Sequence, residues 1–414
     1  MHRGAYRLAR TYSLRCVEAQ LIDRLAALTV ETGANVQPGQ IVVVMAGIEA
    51  APLVRAIAER SYRRGARFVD PIYYDTAIKR IRIEHAAEDT LEFVPSWWSE
   101  RHLQFGEQRC ARIMLHPTVQ PGGLAGLDPA RAGKDLMPAL KENFQVINAQ
   151  TTNWTVVPYP TAAWAAAAHP ELDPDAALAR LWDEVAHVCR LDEPDPSAAW
   201  RERFAALAGA AGRMTERRFD ALHFEGPGTD LTVGLLPTSQ FESGTATTLD
   251  GIVFGPNLPT EEVTTTPDPL RAEGIVRSTR PLEVAGQTVR GLRVRFEGGR
   301  AVEIEADENA DLLRERCARD EGASRLGEVA LVDREGRIGR LGTVFCSTLL
   351  DENAASHIAF GNAYATMVGE RDRARINESA IHLDFMIGAD DVTVTGVTAA
   401  GERVPVLRGG DWQL

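Results

Sequence analysis

Hydrophobic positions in the first half of the chain follow two different rhythms. Between Val17 and Thr32 the apolar residues Leu21, Leu25 and Leu28 fall at helical spacing, and Gly33 supplies a stop. Gln37-Pro38-Gly39-Gln40 reads as a turn feeding a short strand, Ile41 to Met45, that is apolar without alternation. A helix over Ala50 to Arg64, closed by Gly65, and a strand from Phe68 to Tyr74 follow. A strand that does not alternate is buried on both faces, so this strand–helix–strand order predicts a parallel α/β sheet. Further strands are expected at Arg112 to Leu115 and Asn153 to Val157, with helices at Ala162 to Ala168, Pro174 to Arg190 and Ala199 to Arg218. Asp173 followed by Pro174 is a helix start.

The pattern changes near Phe219. Beyond it come short alternating segments separated by Gly, Pro and Asp: Leu231–Leu235, Val289–Phe296, Ala301–Ile304, Glu328–Asp333 and Val392–Val397. With a helix at Glu308 to Arg319, they predict a C-terminal α+β domain rich in antiparallel strands. The expected organisation is an N-terminal extension over 1–16, a parallel α/β domain over 17–218 and a C-terminal domain over 219–414. A chain of 414 residues is long enough to bury two such cores.

Charge narrows the partners. The formal net charge of −13 argues against a surface that tracks nucleic-acid phosphates, and no apolar run is long enough to span a bilayer. Lysine occurs only at Lys79, Lys134 and Lys141, which leaves no lysine in the second half for Schiff-base chemistry or metal ligation. The five cysteines are scattered and form no CxxC, so a reducing, cytoplasmic setting is expected. Arg3, Arg7, Arg10 and Arg15 precede the first acid, Glu18, and are read as part of a terminal extension rather than a targeting peptide.

Candidate chemistry gathers late in the chain. His85, His102, His116, His169 and His187 lack carboxylates at a useful spacing, and His223 reads as structural. In Ile381-His382-Leu383-Asp384-Phe385 the alternation puts His382 and Asp384 on one strand face, about 7 Å apart at Cα, and imidazole with carboxylate suits a divalent metal. Glu328 stands in an otherwise apolar strand, where an unpaired carboxylate is costly. Glu262 is expected in a loop braced by Pro259 and Pro267. Asp351 to His357 runs on to Tyr364, and seven residues make two helical turns, so His357 and Tyr364 are expected to share a helical face unless Gly361 interrupts.

These residues sit in Gly228–Leu235, Asn257–Val263, Gly327–Val332, Thr348–Ala359 and Ile381–Asp384, with Gly33–Gln40 and Val157–Thr161 ahead of them. In order and spacing, over roughly residues 17 to 410, they resemble the aminopeptidase T, or PepS/AmpS, family of metallo-aminopeptidases. The resemblance implies metal ligands at Glu262, Glu328, His357, His382 and Asp384 and an active-site tyrosine at Tyr364. It implies two divalent ions, zinc or cobalt first and manganese or magnesium next, in a cavity partly closed by homodimerisation. Its substrate would be a peptide with a free N-terminus, cleaved by an activated water, with Tyr364 on the oxyanion. Glu352, ahead of Glu378, is the candidate general base. Thr264 and Phe241 depart from the family's usual residues and are expected to reshape the substrate pocket without touching a ligand. The rival is an iron(II) ring-cleaving dioxygenase of the dihydroxypyridine type, which needs only His357, His382 and Asp384. That reading leaves Glu262 and Glu328 without a metal role.

Overall fold

The computed structural model describes residues 18–135, 141–284 and 287–414; the extension over 1–16 lies outside them. A helix over residues 18–28 continues into a π turn, Thr29–Gly33, so the first expected helix is present, with Val17 outside the described part. Four parallel strands follow: β1 (Ile41–Gly47), β2 (Phe68–Tyr74), β3 (Ala111–His116) and β4 (Trp154–Pro158), in the order β2-β1-β3-β4. Val42, Val44 and Ala46 of β1 enter one hydrophobic core while Val43 and Met45 enter another. This is why β1 carries no polar–apolar alternation: helices cover the sheet on both sides. Asp173 caps the helix Pro174–Val188 by accepting from the Ala176 N–H, with Pro174 in its first turn. The last helix of this half, Pro196–Arg217, ends on Arg218 in the left-handed region, and β5 (Phe219–Gly226) begins at once.

Among the described residues the second half is built on two antiparallel sheets. The larger contains β5, β6 (Thr229–Leu235), β10 (Pro267–Arg277), β13 (Arg293–Glu297), β14 (Arg300–Glu305), β18 (Thr393–Thr398), β19 (Arg403–Arg408) and β20 (Asp411–Trp412). The smaller has the order β17-β16-β15-β9, from β9 (Glu262–Thr265), β15 (Leu326–Val332), β16 (His357–Gly361) and β17 (His382–Met386). Two short ribbons complete the set, β7 (Ala246–Thr247) with β8 (Val253–Phe254) and β11 (Leu282–Val284) with β12 (Gln287–Val289). One face of each large sheet meets the other in a common core, where Phe296, Phe360 and Phe385 stack with ring centroids 5.8 and 5.1 Å apart.

Three local expectations need correction. The segment Val289–Phe296 is not one strand: Gly291, at φ +62°, breaks it into β12 and β13. An added Cβ at Gly291 would lie 2.0 Å from an Asp307 carboxylate oxygen, so the turn is reserved for glycine there. Glu262 is not in a loop; it opens β9, a strand too short to show alternation. His357 and Tyr364 do not share a helix, since His357–Gly361 is strand β16 and Tyr364 follows in the turn beyond it.

Candidate metal centre

The smaller sheet sorts its side chains by parity. Its register pairs Val332 with Glu262, Ala330 with Thr264 and His357, Glu328 with Ala359, Ala359 with Asp384, and Gly361 with His382. Directly paired residues of a sheet share a face, and so do residues two apart. Glu262, Glu328, His357, His382 and Asp384 therefore all rise from one face. The other face carries Val263, Val329, Leu331, Ile358, Phe360 and Phe385 into the core. Between the polar side chains stand Ala330, Ala359 and Gly361, which leave the floor shallow.

A bulge tunes this array. The β15–β16 register shifts between Leu326 and Glu328, and a Cβ at Gly327 would lie 2.3 Å from the Gly361 carbonyl oxygen and 2.4 Å from that of Asn362. Glycine at 327 thus lets the two backbone segments close up beside Glu328, which faces His382. Glu328 is buried, as its place in an apolar strand implies.

The groups converge in two sets. Glu328, His382 and Asp384 each offer a ligand atom, all within 4.8 Å of one another, and no other such group of three or more occurs among the described residues. His382 Nε2 lies 3.0 Å from Glu328 Oε2 and 3.4 Å from Asp384 Oδ1. Its Nδ1 faces the Asn362 carbonyl at 2.8 Å, which orients the ring so that Nε2 points at the carboxylates. Beside this set, His357 Nε2 lies 3.4 Å from Glu262 Oε2, and that oxygen is buried with no hydrogen-bond partner. The five side chains are between 2% and 12% exposed, so their charges are largely out of water.

Neighbouring residues divide the labour. Glu261, adjacent to Glu262, is fully buried and takes Arg203 at 2.5 Å and Arg190 at 3.1 Å, while Arg203 also holds Asp333. Of the two adjacent glutamates, one is neutralised by arginines and the other is left open to the cavity. Thr264 Oγ1 donates to Glu328 Oε1 at 2.5 Å, so this residue does touch a proposed ligand, contrary to the expectation from sequence. Tyr364 packs edge-on to His382, centroids 5.3 Å apart, and Phe144 closes over both rings. Glu352 lines the same cavity, whereas Glu378 is exposed and does not. Among the histidines set aside, His169 pairs with Glu184, and half-buried His116 is drawn down to about 4 by desolvation, as structural roles require.

Electrostatics show an excess of buried negative charge. Burial pushes Glu262 up to about 7, His357 pulling it back while Glu328 and Asp384 add to the rise. Burial and then the carboxylates Asp384, Glu262 and Glu328 hold Glu352 well above the carboxylate range. Burial alone would lower both histidines; Glu262, Asp384 and Glu328 outweigh it at His357, and the carboxylates Asp384 and Glu328 at His382, so both rise. Asp384 is lowered because His382 and His357 more than offset its burial. Burial raises Tyr364, which stays a neutral phenol. Such a cluster binds protons in place of a cation, and with oxygen and imidazole donors and an orphaned carboxylate oxygen it fits divalent metal.

The cavity measures about 280 Å³. Its walls include Met45, Met114, Trp154 and Arg112 of the parallel sheet and Asn143 and Phe144 of the helix Lys141–Asn148. Sequence reasoning missed this contribution, although Arg112 inside the apolar run Ala111–Leu115 was the available signal.

Comparison with known proteins agrees with this geometry. Residues 18–412 match the family model described as thermophilic metalloprotease (M29). The chain is 42% identical to aminopeptidase T of Thermus aquaticus, over 95% of this chain and 98% of that one. It is 37% identical to aminopeptidase 2 of Geobacillus stearothermophilus, covering 94% and 97%. Among solved structures, wild-type AmpT from Thermus thermophilus superposes with a TM-score of 0.87 at 40% identity, over 95% of this chain and 99% of that one. A 2,5-dihydroxypyridine dioxygenase from Pseudomonas putida KT2440 gives a TM-score of 0.53 at 12% identity, covering 96% and 97%, a likeness of fold alone.

Proposed function

The chain belongs to the thermophilic metalloprotease (M29) family, and from that membership we propose a two-ion mechanism centred on Glu262, Glu328, His357, His382 and Asp384. It is a metallo-aminopeptidase, a hydrolase of peptide bonds. The observation that carries the ligand assignment is the single sheet face from which all five side chains rise, in a set of three and an adjoining pair. Divalent ions bound there supply Lewis-acid polarisation of the scissile carbonyl and acidify a water.

The chain's own residues do the rest. Tyr364, kept neutral by burial, donates a hydrogen bond to the oxyanion. Glu352, on the wall of the same cavity, is the general base in this reading: with the ions bound its carboxylate would take a proton from the attacking water and pass it to the departing amine. Phe144 and Tyr364 shield the His382 ring from water. The substrate is a peptide with a free N-terminus, and zinc or cobalt is the metal we favour, ahead of manganese or magnesium. We further assign a division at 218/219 between an α/β domain and the domain bearing these residues, with a homodimer that helps close the cavity, as the family resemblance implies. A cytoplasmic setting is supported by Cys110, Cys189 and Cys317, which are buried free thiols; no helix among the described residues is long and apolar enough to cross a membrane.

The oxygenase alternative required His357, His382 and Asp384, but the three groups that close around one point are Glu328, His382 and Asp384. The deciding test is metal content per chain together with hydrolysis of aminoacyl-p-nitroanilides after chelation and reconstitution. Two ions and metal-restored hydrolysis are expected; one iron with oxygen uptake would overturn the proposal.

A further inference from the structure

Arg112 is the second residue of β3, on the sheet face of Met114 and opposite Ile113, which enters the helix-covered core. The residue is only 4% exposed. One terminal nitrogen, Nη2, donates to Asn143 Oδ1, while Nε and Nη1 are buried with no hydrogen-bond partner among the described residues. Among the described residues no carboxylate neutralises it: the ionisable groups that favour its charge are Cys110 and Tyr74, and burial pushes these up to about 11 and about 12, so both are neutral at physiological pH. Burial draws the guanidinium down to about 10, which still leaves it a cation. A buried, unpaired charge with free donors is expensive to keep, and a fold retains one where a ligand completes it.

The ligand's chemistry follows from where Arg112 sits. It lines the same cavity as Glu262, Glu328, His357, His382 and Asp384. One small cavity therefore has a wall rich in carboxylates and another that offers a guanidinium fork. A planar fork with two parallel donors matches a carboxylate. A short peptide carries its own complement to both walls, an amine at one end and a carboxylate at the other. At about 280 Å³ the cavity lies at the small end of ligand pockets, which favours the shortest peptides.

We propose that Arg112 binds the C-terminal carboxylate of the substrate, making this enzyme selective for dipeptides. The inference rests on the hydrolase reading above, and its test separates the two. The metal-loaded full chain is assayed on leucine p-nitroanilide, which reports the hydrolase alone, and on leucyl-glycine as free acid and as C-terminal amide. In the wild type the free acid is expected to exceed the amide in kcat/KM by about 10- to 100-fold, the worth of a charge-assisted hydrogen-bonded pair, with most of the difference in KM. In Arg112→Met that ratio should fall to about one, and Arg112→Lys should keep part of it. A wild-type ratio near one, or an equal ratio in wild type and Arg112→Met, overturns the proposal. So does a preference for aspartate at the second position without any acid–amide difference, which assigns Arg112 to a side chain. Should the wild type leave leucine p-nitroanilide intact, the hydrolase reading fails, and calorimetric binding of the same acid and amide still decides the role of Arg112. Thermal melts of both variants confirm folding, and the wild-type ratio needs no variant at all.

Discussion

At Glu262 a single carboxylate oxygen is left buried and unpaired beside His357, while its neighbour Glu261 is fully engaged by Arg190 and Arg203. The difference predicts different phenotypes for the two glutamates. Glu262→Gln, like Glu328→Gln, should lose bound metal and cut turnover by orders of magnitude while circular dichroism stays native. Unchanged metal content in both would remove them from the ligand set. Thr264→Val deletes the hydroxyl that orients Glu328 and should weaken metal affinity about 10- to 100-fold, measured by competition with a chelator. Tyr364→Phe removes only a phenol hydroxyl. It should lower kcat and kcat/KM together by about 10²–10³, or roughly 2.7–4 kcal/mol, with KM and metal content nearly unchanged. A normal kcat would leave Tyr364 a packing residue against His382 and Phe144.

At the scale of elements, the site depends on four short strands lying in phase. The motif order made His382 and Asp384 legible, because Ile381–Phe385 alternates within one strand. Glu262 and Glu328 were legible only as misplaced charges, since the register that aligns them with His357 and Asp384 is a property of pairing between segments far apart in sequence. Tyr364 shows the limit of local reasoning: a seven-residue spacing suggested a helix, but β-pairing of His357–Gly361 with both β15 and β17 outweighs helical propensity. The frame that holds β9 in place can be tested at Arg203, which bridges Glu261 and Asp333. Arg203→Ala leaves buried Asp333 without its cation and Glu261 with Arg190 alone, and should cost about 3–5 kcal/mol of stability, read from denaturant unfolding. A loss below about 1 kcal/mol would show that the cluster is not buried as described.

For the whole molecule, the cluster's excess charge ties metal to protons. Glu262 near 7 and the raised His357 and His382 hold protons that ligation must displace, so metal uptake at neutral pH should release protons and tighten as pH rises. Calorimetry in buffers of different ionisation enthalpy measures that release; none detected would contradict the ligand set. The linkage has a definite sign in the chelated protein. Folded Glu262 binds a proton that the unfolded chain has already lost, so its contribution to stability is present below the ordinary carboxylate range and falls as pH rises toward about 7. Restoring metal should reverse the loss, visible in melts at neutral pH. Two levels of information meet here. Residue types and their spacing along the chain determined the α/β half, the antiparallel half, the family and five candidate ligands, because periodicity and motif order are written locally. Only the tertiary structure decided that those ligands share one sheet face, that Thr264 holds Glu328, and that Arg112 from the parallel sheet enters the same cavity. Burial, pairing register and the absence of a neutralising partner arise where distant segments meet, and no local pattern encodes them.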